Sequence, residues 1–332
     1  MSADVIPLRA RGSQPTLAPM LALTAPGMNS VNAVILDRMQ SEIPLIPALA
    51  GHLISGGGKR MRPMLMVAAA ELCGYQGARH HKLAAAVEFL HTATLLHDDV
   101  VDGSDMRRGK AAANIVFGNP ATVLVGDFLF TRAFELMVED GSLKVLKIFS
   151  KASSIIAEGE VDQLTAQRRI ETSEEHYLQI IGSKTAALFA AATRISAIVA
   201  EKSEAEEQAL DSYGRNLGIA FQLVDDAIDY DSEASESGKD KGDDFREGKM
   251  TLPVILAYAR GNAEERKFWE DAIAGFRTED EDLINRHGCV EATRERARLY
   301  AQRAIDSLSI FPAGAARDAM CEAVEFAVAR RY

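Results

Sequence analysis

The chain has 332 residues, enough for one large domain or two small ones, and 47% of them are hydrophobic, so a sizeable core can form. Its net charge of −11 argues against a nucleic-acid surface and against broad attraction to anionic lipid. Cys73, Cys289 and Cys321 lie far apart and read as reduced thiols of a cytoplasmic protein, and no apolar run is long and clean enough to span a membrane.

Four of the ten prolines (Pro7, Pro15, Pro19 and Pro26) crowd the first 26 residues. With Asp4 they break any clean signal-peptide core, and residues 1–27 read as a loose tail. Helical periodicity dominates from about Asn29 onward. Between Pro63 and Pro312 only Pro120 and Pro253 occur, which leaves room for long helices. Strand-like alternation is scarce, so the expected fold class is all-α.

A loop is expected at Ser55–Gly58, followed by Lys59-Arg60-Met61-Arg62-Pro63. The glycines permit close backbone approach and the cations could neutralise a diphosphate, although a solvated basic loop is the plainer reading. The next helix carries His91, Leu95, Asp98 and Asp102 on one stripe. Asp98-Asp99-Val100-Val101-Asp102 reads Asp-Asp-x-x-Asp, and the i, i+4 spacing turns Asp98 and Asp102 to one face. Like charges so placed cost a bare helix about 0.2–0.5 kcal/mol. A cation removes that cost, and hard oxygen ligands from few side chains suit Mg2+ shared with substrate phosphates. Gly103–Ala113 reads as a loop, with Arg107 and Arg108 either pairing the aspartates or reaching an anion held by their metal.

Gly182-Ser183-Lys184-Thr185 precedes an apolar run and reads as a helix start, or as an ammonium and a hydroxyl at a reaction centre. Leu210, Tyr213, Leu217, Phe221, Val224 and Ile228 form an apolar stripe, with Gly218, Gln222, Asp225 and Asp229 on the neighbouring one. The second cluster, Asp225-Asp226-Ala227-Ile228-Asp229, repeats the first. Two such clusters face to face would make a metal-bridged diphosphate site. Ser232–Lys249 is rich in Gly, Ser and charge and is a lid candidate. It is no EF-hand, since Ala234 and Asp240 stand where that loop needs Gly and Glu. Arg330-Arg331-Tyr332 reads as a solvated tail, with a reach to a second diphosphate as the alternative.

Taken in order, these segments resemble the trans-polyprenyl diphosphate synthases, closest to the long-chain octaprenyl and decaprenyl branch of quinone biosynthesis. The matching residues are Gly57-Gly58-Lys59-Arg60-x-Arg62-Pro63, Leu95-Leu96-His97-Asp98-Asp99-x-x-Asp102 with Arg107-Arg108-Gly109, Gly126-Asp127, Lys184-Thr185 and Phe221-Gln222-x-x-Asp225-Asp226-x-x-Asp229. Lys239-x-x-Gly242-Asp243-Asp244-x-x-Glu247-Gly248-Lys249-x-Thr251-Leu252-Pro253 completes the set, and the resemblance covers residues 28–332.

The resemblance implies one helical-bundle domain around a deep central cavity and a homodimer; the net charge already argues against a nucleic-acid partner. It implies Mg2+-dependent head-to-tail (1′-4) condensation of isopentenyl diphosphate with an allylic diphosphate such as farnesyl diphosphate. By resemblance, Asp98 and Asp102 ligate two Mg2+ and Asp225 a third, with Asp99, Asp226 and Asp229 acting through water or neighbouring ligands. Lys59, Arg62, His91 and Arg108 hold isopentenyl diphosphate, and Arg107, Lys184 and Lys249 the allylic diphosphate. Thr185 and Gln222 lie near the allylic cation, and Lys239 helps to close the lid. Product length depends on the helix before Asp98, where short-chain relatives carry bulk. Here Ala93 and Thr94 are small, so a long product of roughly eight to ten units is expected, one unit per turn at about 1.5 Å per residue. The competing readings are a shorter-chain synthase, a class I terpene cyclase, a noncatalytic subunit of a heteromeric synthase, and a helical scaffold with incidental acidic faces.

Overall fold

A proline-poor sequence with helical stripes folds into helices almost throughout, and a computed structural model describes residues 14–55, 58–107, 109–231, 243–276 and 281–330. The first half holds α1 (Ala18–Arg38), α2 (Leu45–Ser55), α3 (Met61–Leu72), α4 (Arg79–Val101), α5 (Ala113–Phe117), α6 (Asn119–Asp140) and α7 (Leu143–Ala166). Then come α8 (Glu174–Ile181), a π-helical turn at Gly182–Ala186, α9 (Ala187–Val199) and α10 (Glu204–Asp229). The remainder holds α11 (Asp243–Arg246), α12 (Leu252–Arg260), α13 (Ala263–Asp271), α14 (Glu281–Arg286), α15 (Cys289–Ser307) and α16 (Ala315–Ala329). The two mid-chain prolines stand in the first turns of α6 and α12, where no backbone N–H is needed.

Two expectations are corrected here. The loose tail does not extend to residue 27, because α1 already begins at Ala18. Pro19 sits in its first turn, and Met20 and Thr24 are buried. Thr16 ties the entry to α16 through its backbone N–H and Glu322 Oε1, at 3.1 Å. The reason lies in packing: a Cβ on Gly27 would fall 2.6 Å from Val67 Cγ1, so α1 lies directly against α3. The second correction concerns Gly103–Ala113, which contains a short antiparallel ladder, β1 (Met106–Arg107) and β2 (Lys110–Ala111). Gly109, at φ 75°, turns it.

Two long helices organise the core. α4 packs along α6, burying Leu83, Phe89, Ala93 and Leu96 against Val125, Leu129 and Leu136. α10 packs against α9 and α15, burying Leu210, Tyr213 and Leu217, while Leu223 and Val224 join a cluster around Trp269. Ser203 and Glu206 start α10 with a reciprocal capping box. No described helix is long and apolar enough to cross a membrane.

Candidate active site

Both aspartate clusters stand at helix C-termini. Asp98 and Asp99 lie in the last turn of α4 with Asp102 capping it, and Asp225 to Asp229 end α10. The C-terminus is the negative end of the helix dipole, so carboxylates there add to an unfavourable charge. Basic side chains offset it. Lys184 Nζ lies 2.7 Å from Glu160 Oε2 and 3.6 Å from Asp98 Oδ2. Lys249 Nζ lies 3.0 Å from Asp102 Oδ2, 3.8 Å from Asp244 Oδ1 and 2.5 Å from Glu247 Oε2. Arg330 Nη2 reaches Asp225 Oδ1 at 2.8 Å. Because the Asp244 N–H donates to Asp229 Oδ2 at 3.3 Å, Lys249 and Asp244 tie the first cluster to the second.

Glycines set the spacing. A Cβ on Gly159 of α7 would lie 2.7 Å from Ser183 Cβ, and one on Gly218 of α10 would lie 2.6 Å from Ala186 Cα. The π-helical turn is thus clasped by α7 and α10. That places Lys184 beside Glu160 and lets Thr185 Oγ1 donate to Gln222 Oε1 at 2.9 Å. Lys184 and Thr185 therefore do not start a helix. They occupy a π turn within a helical run from Glu174 to Val199, a local irregularity common at functional sites.

The second aspartate of each cluster turns inward. Asp99 is fully buried and accepts from Arg107 Nε at 2.6 Å, while its carbonyl accepts from Asn114 Nδ2 at 3.0 Å. Asp226 is also buried, and accepts from Tyr177 Oη at 2.6 Å and from Gln222 Nε2 at 2.8 Å.

A second basic group adjoins Asp225. Arg62 Nη1 and His91 Nε2 are 3.0 Å apart, and the Arg62 guanidinium lies 4.4 Å from the Phe189 ring centroid. Lys59 Nζ sits 4.9 Å over Phe326. Arg330 stacks 3.9 Å over Phe221 and donates to its carbonyl at 2.8 Å. Arg330 is therefore no solvated tail residue: the stacking and the ion pair hold it in place.

Electrostatics follow from this crowding. Burial raises the Asp98 pKa and Asp102 adds to the rise, while Lys184 opposes it. Glu160 is raised by burial and by Asp98. Burial and Asp244 push the Asp226 carboxyl up to about 8, against the hydrogen bonds from Tyr177 and Gln222. Burial and Asp226 hold the Tyr177 phenol well above its ordinary value, so it stays a donor. Burial works against the Lys249 ammonium, but Asp244, Asp102 and Glu247 outweigh it and hold the proton firmly. Lys59 is shifted down by burial and by Arg330.

The expected residues are thus distributed as follows. Asp98, Asp102, Lys184 and Lys249 meet on one side, and Asp225, Asp226, Asp229, Gln222 and Thr185 on the other. Arg107 binds Asp99, Arg62 meets His91 and lies over Phe189, and Lys59 lies over Phe326 near Arg330. Arg108 and Lys239 lie outside the described residues. Ala93 is fully buried in the α4–α6 core, and Thr94 Oγ1 donates to the His91 carbonyl at 2.8 Å. A small gap beside them is lined by Phe89 and Thr92 of α4 with Ile35, Met39 and Leu129. Glu160 and Tyr177 escaped the sequence reading, and Arg330 takes the place that reading gave only as the alternative to a solvated tail. Only Tyr177 left a usable signal, an aromatic hydroxyl two helical turns before Lys184.

Among the described residues, no three His, Cys, Asp or Glu side chains form a ready-made metal cage. Mg2+ needs none, since it takes one or two carboxylates and completes its shell with water and substrate phosphates. Asp98, Asp102 and Asp225 supply such carboxylates, each with a positive group already beside it, so the donor set fits.

The chain matches the family model described as Polyprenyl synthetase over residues 43–288. It is 49% identical over 313 residues to an octaprenyl diphosphate synthase of Escherichia coli (strain K12), covering 93% of this chain and 97% of that protein. Its fold matches the crystal structure of a polyprenyl synthase from Caulobacter crescentus CB15 complexed with calcium and isoprenyl diphosphate. The TM-score is 0.92 at 50% identity, covering 97% of this chain and 100% of that one. A decaprenyl diphosphate synthase from Rhodobacter capsulatus gives a TM-score of 0.90 at 47% identity, covering 94% and 98%. The chain belongs to the polyprenyl synthetase family, on its long-chain trans side, and is a prenyltransferase.

Proposed function

We propose that the protein condenses isopentenyl diphosphate head to tail (1′-4) with an allylic diphosphate such as farnesyl diphosphate. The product is an all-trans chain of roughly eight to ten units, longer than α4 alone can measure and suited to a quinone side chain. The observation that carries this reading is the pairing of Asp98, Asp102 and Asp225 with Lys184, Lys249 and Arg330, the two clusters being joined through Lys249 and Asp244. Aspartates at two helix ends would hold divalent metal, and the basic groups are at hand for the phosphates.

In this reading Asp98, Asp102 and Asp225 hold Mg2+, which when bound neutralises charge developing on the leaving diphosphate. Asp99 and Asp226, engaged by Arg107 and Tyr177, keep their helix ends in place, and Asp229 holds the Asp244 N–H. Arg107, Lys184 and Lys249 bind the allylic diphosphate. Lys59, Arg62 and His91 bind isopentenyl diphosphate, with Arg330 beside them and Arg108 and Lys239 assigned by resemblance. Thr185 and Gln222 present oxygens to the allylic cation. After the new carbon–carbon bond forms, a proton leaves and the double bond is restored.

The protein acts as a homodimer in the cytoplasm. Ile115, Val116, Val123 and Leu124 expose an apolar strip on α5 and α6, and Val101 and Met106 are exposed as well. A second copy of this chain is the occupant proposed for that strip. The function is tested by incubating purified protein with farnesyl diphosphate, labelled isopentenyl diphosphate and Mg2+. Elongation that stops with EDTA and returns with added Mg2+ supports it; activity indifferent to EDTA, or no elongation by folded protein, contradicts it.

A further inference from the structure

Tyr177 stands outside every motif that carries the family resemblance, yet it is bonded into the site. Its phenol donates to Asp226 Oδ2 at 2.6 Å, Gln222 Nε2 donates to Asp226 Oδ1 at 2.8 Å, and Thr185 Oγ1 donates to Gln222 Oε1 at 2.9 Å. The chain begins in the core, where Tyr177 is 3% exposed and Asp226 equally so, and it ends at a hydroxyl beside the Lys184 cluster. Each bond has a direction. Because Gln222 gives its amide N–H to Asp226, its amide oxygen faces Thr185. Because that oxygen takes the Thr185 proton, the lone pairs of the threonine oxygen are left for whatever lies in the site. An electron-poor carbon is served by lone pairs, and a hydroxyl proton aimed at it would raise the barrier.

We infer that Tyr177 is a positioning residue for the condensation: through Asp226 it fixes the Gln222 amide, and so turns the lone pairs of Thr185 toward the allylic cation. The inference rests on the prenyl-transfer reading above. It adds a residue on α8, remote from both aspartate clusters in sequence, that is joined to Thr185 through three hydrogen bonds.

The test is a double-mutant cycle on the full-length protein, using Tyr177→Phe, Thr185→Val and the pair. Steady-state kcat and KM are measured for farnesyl diphosphate and isopentenyl diphosphate with Mg2+, and the thermal midpoint is recorded for each variant. Tyr177→Phe is expected to lower kcat about tenfold, with both KM values within about twofold. Added to Thr185→Val it is expected to change kcat little further, since both break one chain. Losses that multiply in the double variant, or an unchanged kcat in Tyr177→Phe, overturn the inference and leave the prenyl-transfer reading standing. A wild-type protein that elongates nothing overturns both. If Tyr177→Phe does not fold, Asp226→Asn takes its place. It keeps the volume and can offer Gln222 an N–H in place of a carboxyl oxygen, so that the amide can reverse. The same non-additivity with Thr185→Val is expected, and multiplying losses again overturn the inference.

Discussion

Lys184, Lys249 and Arg330 each neutralise an aspartate at the end of a helix, and these aspartates are the proposed metal ligands. Burial raises the pKa of both Asp98 and Glu160, with Asp102 adding to the rise at Asp98 and Asp98 to that at Glu160. Replacing Asp98 by Asn therefore relieves repulsion in the metal-free protein while removing a ligand. The expected outcome is a thermal midpoint equal to or above that of the wild type, with kcat lower by about a hundredfold or more. A loss under about threefold would show that Asp98 carries no metal. Elsewhere, His80 is buried, and burial together with His81 lowers its pKa from 6.5 to about 4. Its neutral form is favoured in the fold, so its contribution is complete above pH 6.5 and is lost as pH falls toward 4, by up to about 3 kcal/mol. Urea unfolding at pH 7 and pH 4.5 checks this: His80→Leu should flatten the decline, and an equal decline in both proteins contradicts the assignment.

At the scale of elements, the site depends on two glycine crossings. α7 and α10 clasp the π-helical turn at Gly159 and Gly218, and the distance between Thr185 and Gln222 follows from that clasp. Gly218→Ala would put a methyl 2.6 Å from Ala186 Cα, against backbone that cannot swing aside. A loss of about 1–3 kcal/mol in stability is expected, with kcat falling because Gln222 moves off Thr185. Unchanged stability by denaturant titration would show that the crossing is slack. The helices, the apolar stripe of α10 and the positions of both clusters were legible, because 3.6-residue periodicity reports which face is buried. The π turn was not, because Gly182-Ser183 at a helix start and inside a run have the same composition. Nor was the start of α1: prolines near a terminus suggest a tail, but Pro19 falls in the one helical turn that accepts it. Along α4, Ala93→Phe is expected to lower stability, because Ala93 is fully buried, and to shorten the product by at least one unit; an unchanged product from the folded variant would remove α4 as the length gauge.

For the whole molecule, what the sequence left open were contacts made across long separations. Arg330 meets Asp225 and Phe221 over more than a hundred residues, and Glu160 meets Lys184 from another helix, so no local pattern announces either. The motif residues were legible for the opposite reason: each cluster sits on one helix at i, i+4 spacing, which fixes its face before any tertiary contact. The exposed strip on α5 and α6 belongs to the same scale. Sedimentation is expected to give a dimer, and Leu124→Glu, at a residue 67% exposed, a monomer that stays folded. A monomeric wild type would leave the strip without its proposed occupant. The central claim, a long-chain condensation at a site joining two aspartate-bearing helix ends, is tested most directly by the product itself. Purified protein, Mg2+, farnesyl diphosphate and labelled isopentenyl diphosphate are incubated together, and the chain length of the dephosphorylated product is measured. A discrete product of roughly eight to ten units is the predicted result; products that stop at three or four units, or no elongation at all, would contradict it.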